Sequence, residues 1–173
     1  MNTKRLTNLA LLIAVYVVLA VMTPIRLINF KFTFEAFPVL IAGILMGAAD
    51  GCLVGLLGSA IYQIFASGYG ITLTTPLWIL PHALSGFLVG LLAEKWRDKL
   101  DFVHLTFICS LSSLCVTAFN TLALYVDSRM FGYYSKKLVF GALFVKIVTG
   151  ILLAVIYSLI LPKLIDRLKR VVK

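Results

Sequence analysis

Six apolar runs set the limits of what this chain can fold into. They cover residues 6–25, 34–49, 51–65, 77–93, 102–126 and 138–165, and the stretches between them are short. The longer runs carry the roughly 20 apolar residues that an α-helix needs to cross a bilayer. The second and third are shorter and meet almost without a loop. That predicts tilted helices, or a turn at the membrane interface around residues 49–51. Of the 173 residues, 61% are hydrophobic and 13% charged, and the mean hydropathy is +1.03. A soluble domain of this length cannot hide so much apolar surface. The expected fold is an all-α integral membrane protein with six transmembrane helices. It forms a single domain over residues 1–173.

The formal charge of +9 does not signal nucleic acid, because most cations sit in short clusters between apolar runs. Lys4 and Arg5 precede the first run. Lys95, Arg97 and Lys99 separate the fourth from the fifth. Lys163, Arg167, Lys169, Arg170 and Lys173 follow the sixth. An even number of spans puts these clusters on one side, and the positive-inside rule makes that side cytoplasmic, with both termini. The first run is too long for a signal-peptide core and lacks a cleavage site, so no cleaved leader is expected. Cys52, Cys109 and Cys115 form no CxxC pair and read as apolar packing residues, not metal ligands or a disulfide framework.

Residues 26–35, 66–76 and 127–137 then face outward. They hold Arg26, Lys31, Arg129, Lys136 and Lys137, a heavy cation load for a translocated side, which suggests an anion to be met. Lys146 stands inside the sixth apolar run, where a central cation costs roughly 2.5–3.5 kcal/mol on insertion scales. At 1.5 Å per residue it lies roughly 12 Å from the outer end, His82 roughly 8 Å and Asn120 roughly 9 Å. Gln63, Tyr69, Trp78 and Tyr125 fall near the same level. Polar groups at one depth, above apolar inner halves, describe a ligand cavity open to one side.

Each residue also has a plainer reading. Lys146 could snorkel. His82, Asn120 and Gln63 could bridge helices. Tyr69, Trp78 and Tyr125 could belong to an interfacial aromatic belt, and Arg26 could anchor a helix end. Their convergence favours the cavity. Thr74, Thr75, Pro76 and Trp78 form a stiff entry into the fourth helix. Gly68, Tyr69 and Gly70 make the loop before it a candidate gate.

Gly47, Gly51, Gly55 and Ser59 repeat every four residues, as do Gly86 and Gly90. Such spacing lets helices approach closely in lipid, and these series are expected to pack within the molecule. Ala10 and Ala14 form a similar pair, on a smooth face that could dock a partner helix. There is no Walker A motif, no H-E-x-x-H and no placeable Ser/His/Asp set. Asp50 and Asp127 lie at opposite faces, which argues against a paired-carboxylate site. No cofactor is expected.

Beyond the number and shortness of the spans, Leu9-Ala-Leu-Leu-Ile-Ala14 and Phe32-Thr-Phe-Glu-Ala-Phe-Pro38, running into Gly47, resemble the substrate-binding S components of energy-coupling factor (ECF) vitamin transporters. The stretches Tyr69-Gly-Ile-Thr-Leu-Thr-Thr-Pro-Leu-Trp78 and Asn120-Thr-Leu-Ala-Leu-Tyr125 are most similar to folate-specific members. The resemblance implies a vitamin captured in an outward-facing cavity of the bacterial plasma membrane. It also implies that Ala10 and Ala14 touch a transmembrane coupling subunit, and that two cytoplasmic ATPases complete the importer. A flat pterin would suit Trp78, Tyr125, Asn120 and Gln63, and two tail carboxylates would suit Arg26 and Lys146. Pantothenate or a flavin would be accepted less comfortably. Two other classes compete: a membrane enzyme moving protons through His82 and Lys146, and a stand-alone proton-coupled transporter.

Overall fold

The computed structural model describes residues 3–172 apart from 24, 28, 29, 33, 69 and 98. Side chains at 24–33, 69, 98, 166 and 168–173 lie outside that description. Among the described residues the elements are helices apart from one short ribbon. Helix α1 (Thr3–Met22) is followed by strands β1 (Ile25–Leu27) and β2 (Phe30–Phe32). Then come α2 (Ala36–Met46), α3 (Ala48–Ile61) with a π-helical turn at Tyr62–Ala66, α4 (Thr75–Lys95), α5 (Phe102–Met130), α6 (Lys136–Phe140) and α7 (Leu143–Val172). Among the described residues five spans are long and apolar enough to cross a membrane, the last formed by α6 and α7 together, and α2 is a shorter apolar helix.

The sequence expectation differs from this fold in three places. The first helix stops at Met22, and Ile25 opens an antiparallel ribbon with Arg26 opposite Lys31. The turn between the second and third helices falls at Gly47, not at residues 49–51. Gly47 takes φ +98, a backbone region that side chains with a Cβ rarely enter, so it ends α2 and starts α3 within one residue. The sixth run is split. Gly141 and Ala142 form a turn, and the Lys146 N–H donates to the Ala142 carbonyl at 2.9 Å. Lys146 therefore sits in the first turn of α7, only roughly 4.5 Å along it from Leu143.

The glycine series packs inside the molecule, as its spacing requires. A Cβ on Gly51 would lie 2.5 Å from the Gly86 carbonyl oxygen, and one on Gly86 would lie 2.1 Å from the Gly51 oxygen. A Cβ on Gly55 would meet the His82 oxygen at 2.1 Å, so α3 and α4 touch backbone to backbone. The Ser59 hydroxyl reaches the Gly55 carbonyl at 2.5 Å and the Ile79 carbonyl at 3.2 Å. That second contact ties α3 to α4 just before Pro81, which sits within α4.

Leu40, Val89, Leu105, Ile108 and Leu161 form a buried core between α2, α4, α5 and α7. Tyr16, Ala20, Val39, Ala42 and Val54 form a second, between α1, α2 and α3. Leu11, Val18, Phe144, Leu152 and Leu159 are exposed on the outer surface, an arrangement that suits hydrocarbon rather than water.

Candidate functional site

A cavity of about 890 Å³ opens between α1, α3, α4, α5, α6, α7 and the first turns of α2. Helical periodicity builds its walls. On α5, Cys109, Ser112, Ser113, Val116, Thr117, Asn120, Leu124 and Asp127 line it, and on α7 Lys146, Thr149, Gly150, Leu153, Ala154 and Tyr157 do so. Both sets step by three and four residues, the repeat that keeps side chains on one helical face. Thr75, Trp78 and His82 form the α4 face, and Tyr16 contributes from α1. The π-helical turn after α3 presents Tyr62 and Gln63 to the same space.

Six residues singled out by sequence line this cavity: Gln63, Thr75, Trp78, His82, Asn120 and Lys146. Tyr125 does not. It lies five residues past Asn120, about 140° around the helix. Its ring packs edge-on against Tyr134 at 5.6 Å, with the Arg129 guanidinium 5.5 Å from its centre. Tyr69 lies outside the described residues, as does the side chain of Arg26, whose backbone belongs to β1. Ala10 and Ala14 are exposed on α1, away from the cavity.

The cavity also runs deeper than expected. Along α7 the wall extends from Lys146 to Tyr157, a rise of roughly 16 Å. Sequence reasoning missed Tyr16, Glu35, Ser112, Ser113, Thr117, Asp127, Tyr133, Thr149 and Tyr157. Extending the helical faces of Asn120 and Lys146 by three and four residues would have found those on α5 and α7. Tyr16, Glu35 and Tyr133 come from other segments and carry no such signal.

The charged groups of the wall differ in how they are held. Lys146 is half-buried and is the only Lys or Arg in the wall among the described residues. Within that set no carboxylate lies within 4.0 Å of it and no side-chain hydrogen bond engages it. Asp127 accepts hydrogen bonds from the hydroxyls of Thr74 and Tyr133, joining the start of α4 to the loop after α5 at one end of the cavity. Thr72 continues that cluster, its N–H donating to Thr75 Oγ1 at 2.8 Å. Glu35 Oε1 stands 3.5 Å from His82 Nε2. The Tyr16 and His82 rings meet edge-on at 5.4 Å. The Ser85 and Ser112 hydroxyls pair at 2.6 Å between α4 and α5. The wall thus offers one uncommitted cation, amides and hydroxyls at several heights, and aromatic surface.

Residues 4–165 match the family model for the substrate-specific component of ECF transporters. No curated protein matches the chain in sequence. Among solved structures it is similar to FolT bound with folic acid, with a TM-score of 0.72 and 18% identity over 92% of this chain and 93% of that one. It is similar to the S component of a bacterial ECF transporter, with a TM-score of 0.70 and 20% identity over 98% and 99% of the two chains. It is also similar to the biotin S component of an ECF-type ABC transporter, with a TM-score of 0.69 and 17% identity over 96% and 95%. These likenesses establish the shared fold, and the family match covers nearly the whole chain. The chain belongs to the substrate-specific components of ECF transporters, multi-pass membrane proteins that bind a substrate and do not transform it.

Proposed function

We propose that this chain captures folate, with both termini cytoplasmic and the cavity open to the outside. The observation that carries the reading is Lys146, a cation without a carboxylate partner among the described residues, in a cavity of about 890 Å³ whose wall also holds amides, hydroxyls, aromatic rings and aliphatic side chains, and whose carboxylates Glu35 and Asp127 are engaged by His82 and by Thr74 and Tyr133. That volume falls in the range of pockets that enclose small organic ligands. A glutamate tail supplies the carboxylate that Lys146 lacks. Trp78 offers a face for a flat ring, and Gln63 and Asn120 offer amide donors and acceptors for its edge. The folate-bound relative shares this architecture at 18% identity. Substrate-specific components work with a coupling subunit and ATPases. The exposed Ala10 and Ala14 offer a small-residue face on which a coupling helix could pack closely.

The test is to purify the protein, identify co-purifying small molecules by mass spectrometry, and titrate it with folic acid, biotin, riboflavin and pantothenate. Folic acid should co-purify and bind most tightly. Tighter binding of another vitamin would overturn the substrate assignment. Ala10→Trp and Ala14→Trp should abolish capture of the coupling subunit while leaving folic acid binding intact. Loss of both together, or of neither, would remove the alanine face from that role.

A further inference from the structure

Two polar atoms in the cavity wall are buried and unpaired among the described residues: Nδ1 of His82 and the hydroxyl of Tyr157. The residues are 6% and 5% exposed. Buried polar groups are normally hydrogen-bonded, and leaving one unpaired is costly. Other buried polar side chains of the wall are paired: the Ser112 hydroxyl with Ser85 of α4, and Thr75 Oγ1 with the Thr72 N–H.

The two residues are held by one short segment. Phe34 and Phe37 pack on the Tyr157 ring with centroids 6.3 and 5.4 Å apart. Glu35, between them, faces His82 Nε2 at 3.5 Å. Tyr16 closes on the imidazole edge-on. A carboxylate beside Nε2 favours the proton on that nitrogen in the neutral ring, which leaves Nδ1 an acceptor. The Tyr157 phenol supplies a donor. Packing fixes both rings, so donor and acceptor are pre-oriented.

We propose that Tyr157 and His82 form a second recognition patch, deep on the α7 side, for the amide-like edge of a flat heterocycle, while Lys146 takes the ligand's anionic group. This rests on reading the cavity as the vitamin site. It adds the requirement that the ligand carry N–H and carbonyl or ring-nitrogen groups along one edge, apart from its charge. Along α7 the backbone rises roughly 16 Å from Lys146 to Tyr157, so the edge that reaches Tyr157 is not the part of the ligand that carries the charge.

Tyr157→Phe tests the patch because it removes a single oxygen and keeps the aromatic packing. Binding of folic acid, 6-hydroxymethylpterin and 4-aminobenzoyl-glutamate is measured on the purified protein, together with its ligand-free thermal unfolding. The variant should bind folic acid and the pterin between about three- and tenfold more weakly, bind 4-aminobenzoyl-glutamate unchanged, and unfold no earlier than wild type. His82→Phe, which keeps a ring against Tyr16, should weaken the same two ligands. Unchanged folic acid affinity in Tyr157→Phe, or equal losses for both fragments, would overturn the patch. Should wild type fail to bind folic acid, the folate assignment falls separately. The variant is then compared on riboflavin or biotin, whichever binds. An unchanged affinity there, or no binding of any of these heterocycles, overturns the patch as well.

Discussion

Arg5 on α1 holds both carboxylate oxygens of Asp50 in the first turn of α3. Its Nε lies 2.9 and 3.1 Å from the two oxygens, and a terminal nitrogen lies 2.5 Å from Oδ1. Asp50 is 2% exposed, and the Arg5 side chain is 48% exposed. A helix N-terminus already favours a carboxylate, and the guanidinium fork completes its bonding. The pair fixes how α1 lies against the Gly47 break, with Ala10 and Ala14 facing outward. Removing Arg5 strands a buried charge. Breaking a pair by removing one partner leaves the other charge buried and uncompensated, and the solvent exposure of Arg5 softens that cost. Arg5→Ala should lower the unfolding midpoint in detergent, and Arg5→Ala combined with Asp50→Asn should recover part of the loss. An unchanged midpoint in the single variant would mean that the pair contributes nothing.

Gly55 is the point where helix packing and the ligand site share an atom. Its missing Cβ leaves room for the His82 carbonyl, which the added carbon of alanine would approach to 2.1 Å. Backbone cannot rotate out of the way as a side-chain tip can, so α4 must shift and carry His82 with it. Overpacking of this kind costs about 1–3 kcal/mol. Gly55→Ala should therefore lower both stability and folic acid affinity. Gly68→Ala has open space around its Cβ but φ +81, so it should strain the loop without moving His82. Normal folic acid binding by Gly55→Ala would show that the close approach does not position His82.

Much of this was legible in the sequence because lipid simplifies the code. A helix buried in hydrocarbon must be apolar outside, so the spans and the glycine contacts could be read from composition and four-residue spacing. The break at Gly141 was hidden, because its neighbours are as apolar as the helix they interrupt. Treating residues 138–165 as one helix hid the fact that Lys146 stands in the first turn of α7. Gln63, His82, Asn120 and Lys146 announced themselves as polar residues in apolar runs. Tyr125 misled because closeness in sequence is not closeness on a helical face, and Leu124 and Asp127 continue the Asn120 face instead. Glu35 could not be found in this way, since nothing local says that the ribbon returns the chain beside His82.

The start of α5 carries a pH dependence with a definite sign. Asp101 caps this helix. The His104 backbone N–H donates to its carboxylate at 3.0 Å, and His104 Nδ1 lies 2.6 Å away. These bonds, the backbone one first, hold the Asp101 carboxyl below the ordinary aspartate range. A carboxyl depressed on folding adds stability above its unfolded pKa of about 3.9, and loses it as pH falls through the lower folded value. Asp101→Ala should thus unfold at a lower temperature than wild type at neutral pH, with the gap closing as the pH is taken below about 4. A gap that stays constant to low pH would show that capping charge is not its source.

Lys146 separates the roles of charge and packing most directly. Among the described residues its ammonium has no ion-pair or hydrogen-bond partner, so its loss should leave the empty protein as stable as before, or slightly more so. A hydrogen bond to a charged group is worth about 1.5–3 kcal/mol. Lys146→Met, which keeps length and apolar stem, should therefore weaken folic acid binding by roughly 10- to 150-fold. The same loss is expected for 4-aminobenzoyl-glutamate, and little or none for 6-hydroxymethylpterin. Lys146→Arg keeps the charge and should recover part of the affinity, with the remainder lost to the larger guanidinium. Binding to wild type should also weaken with added salt more than binding to Lys146→Met, because only the former screens a charge pair. Equal folic acid affinity in wild type and Lys146→Met would place the carboxylates elsewhere and leave Lys146 as a residue reaching for the membrane surface.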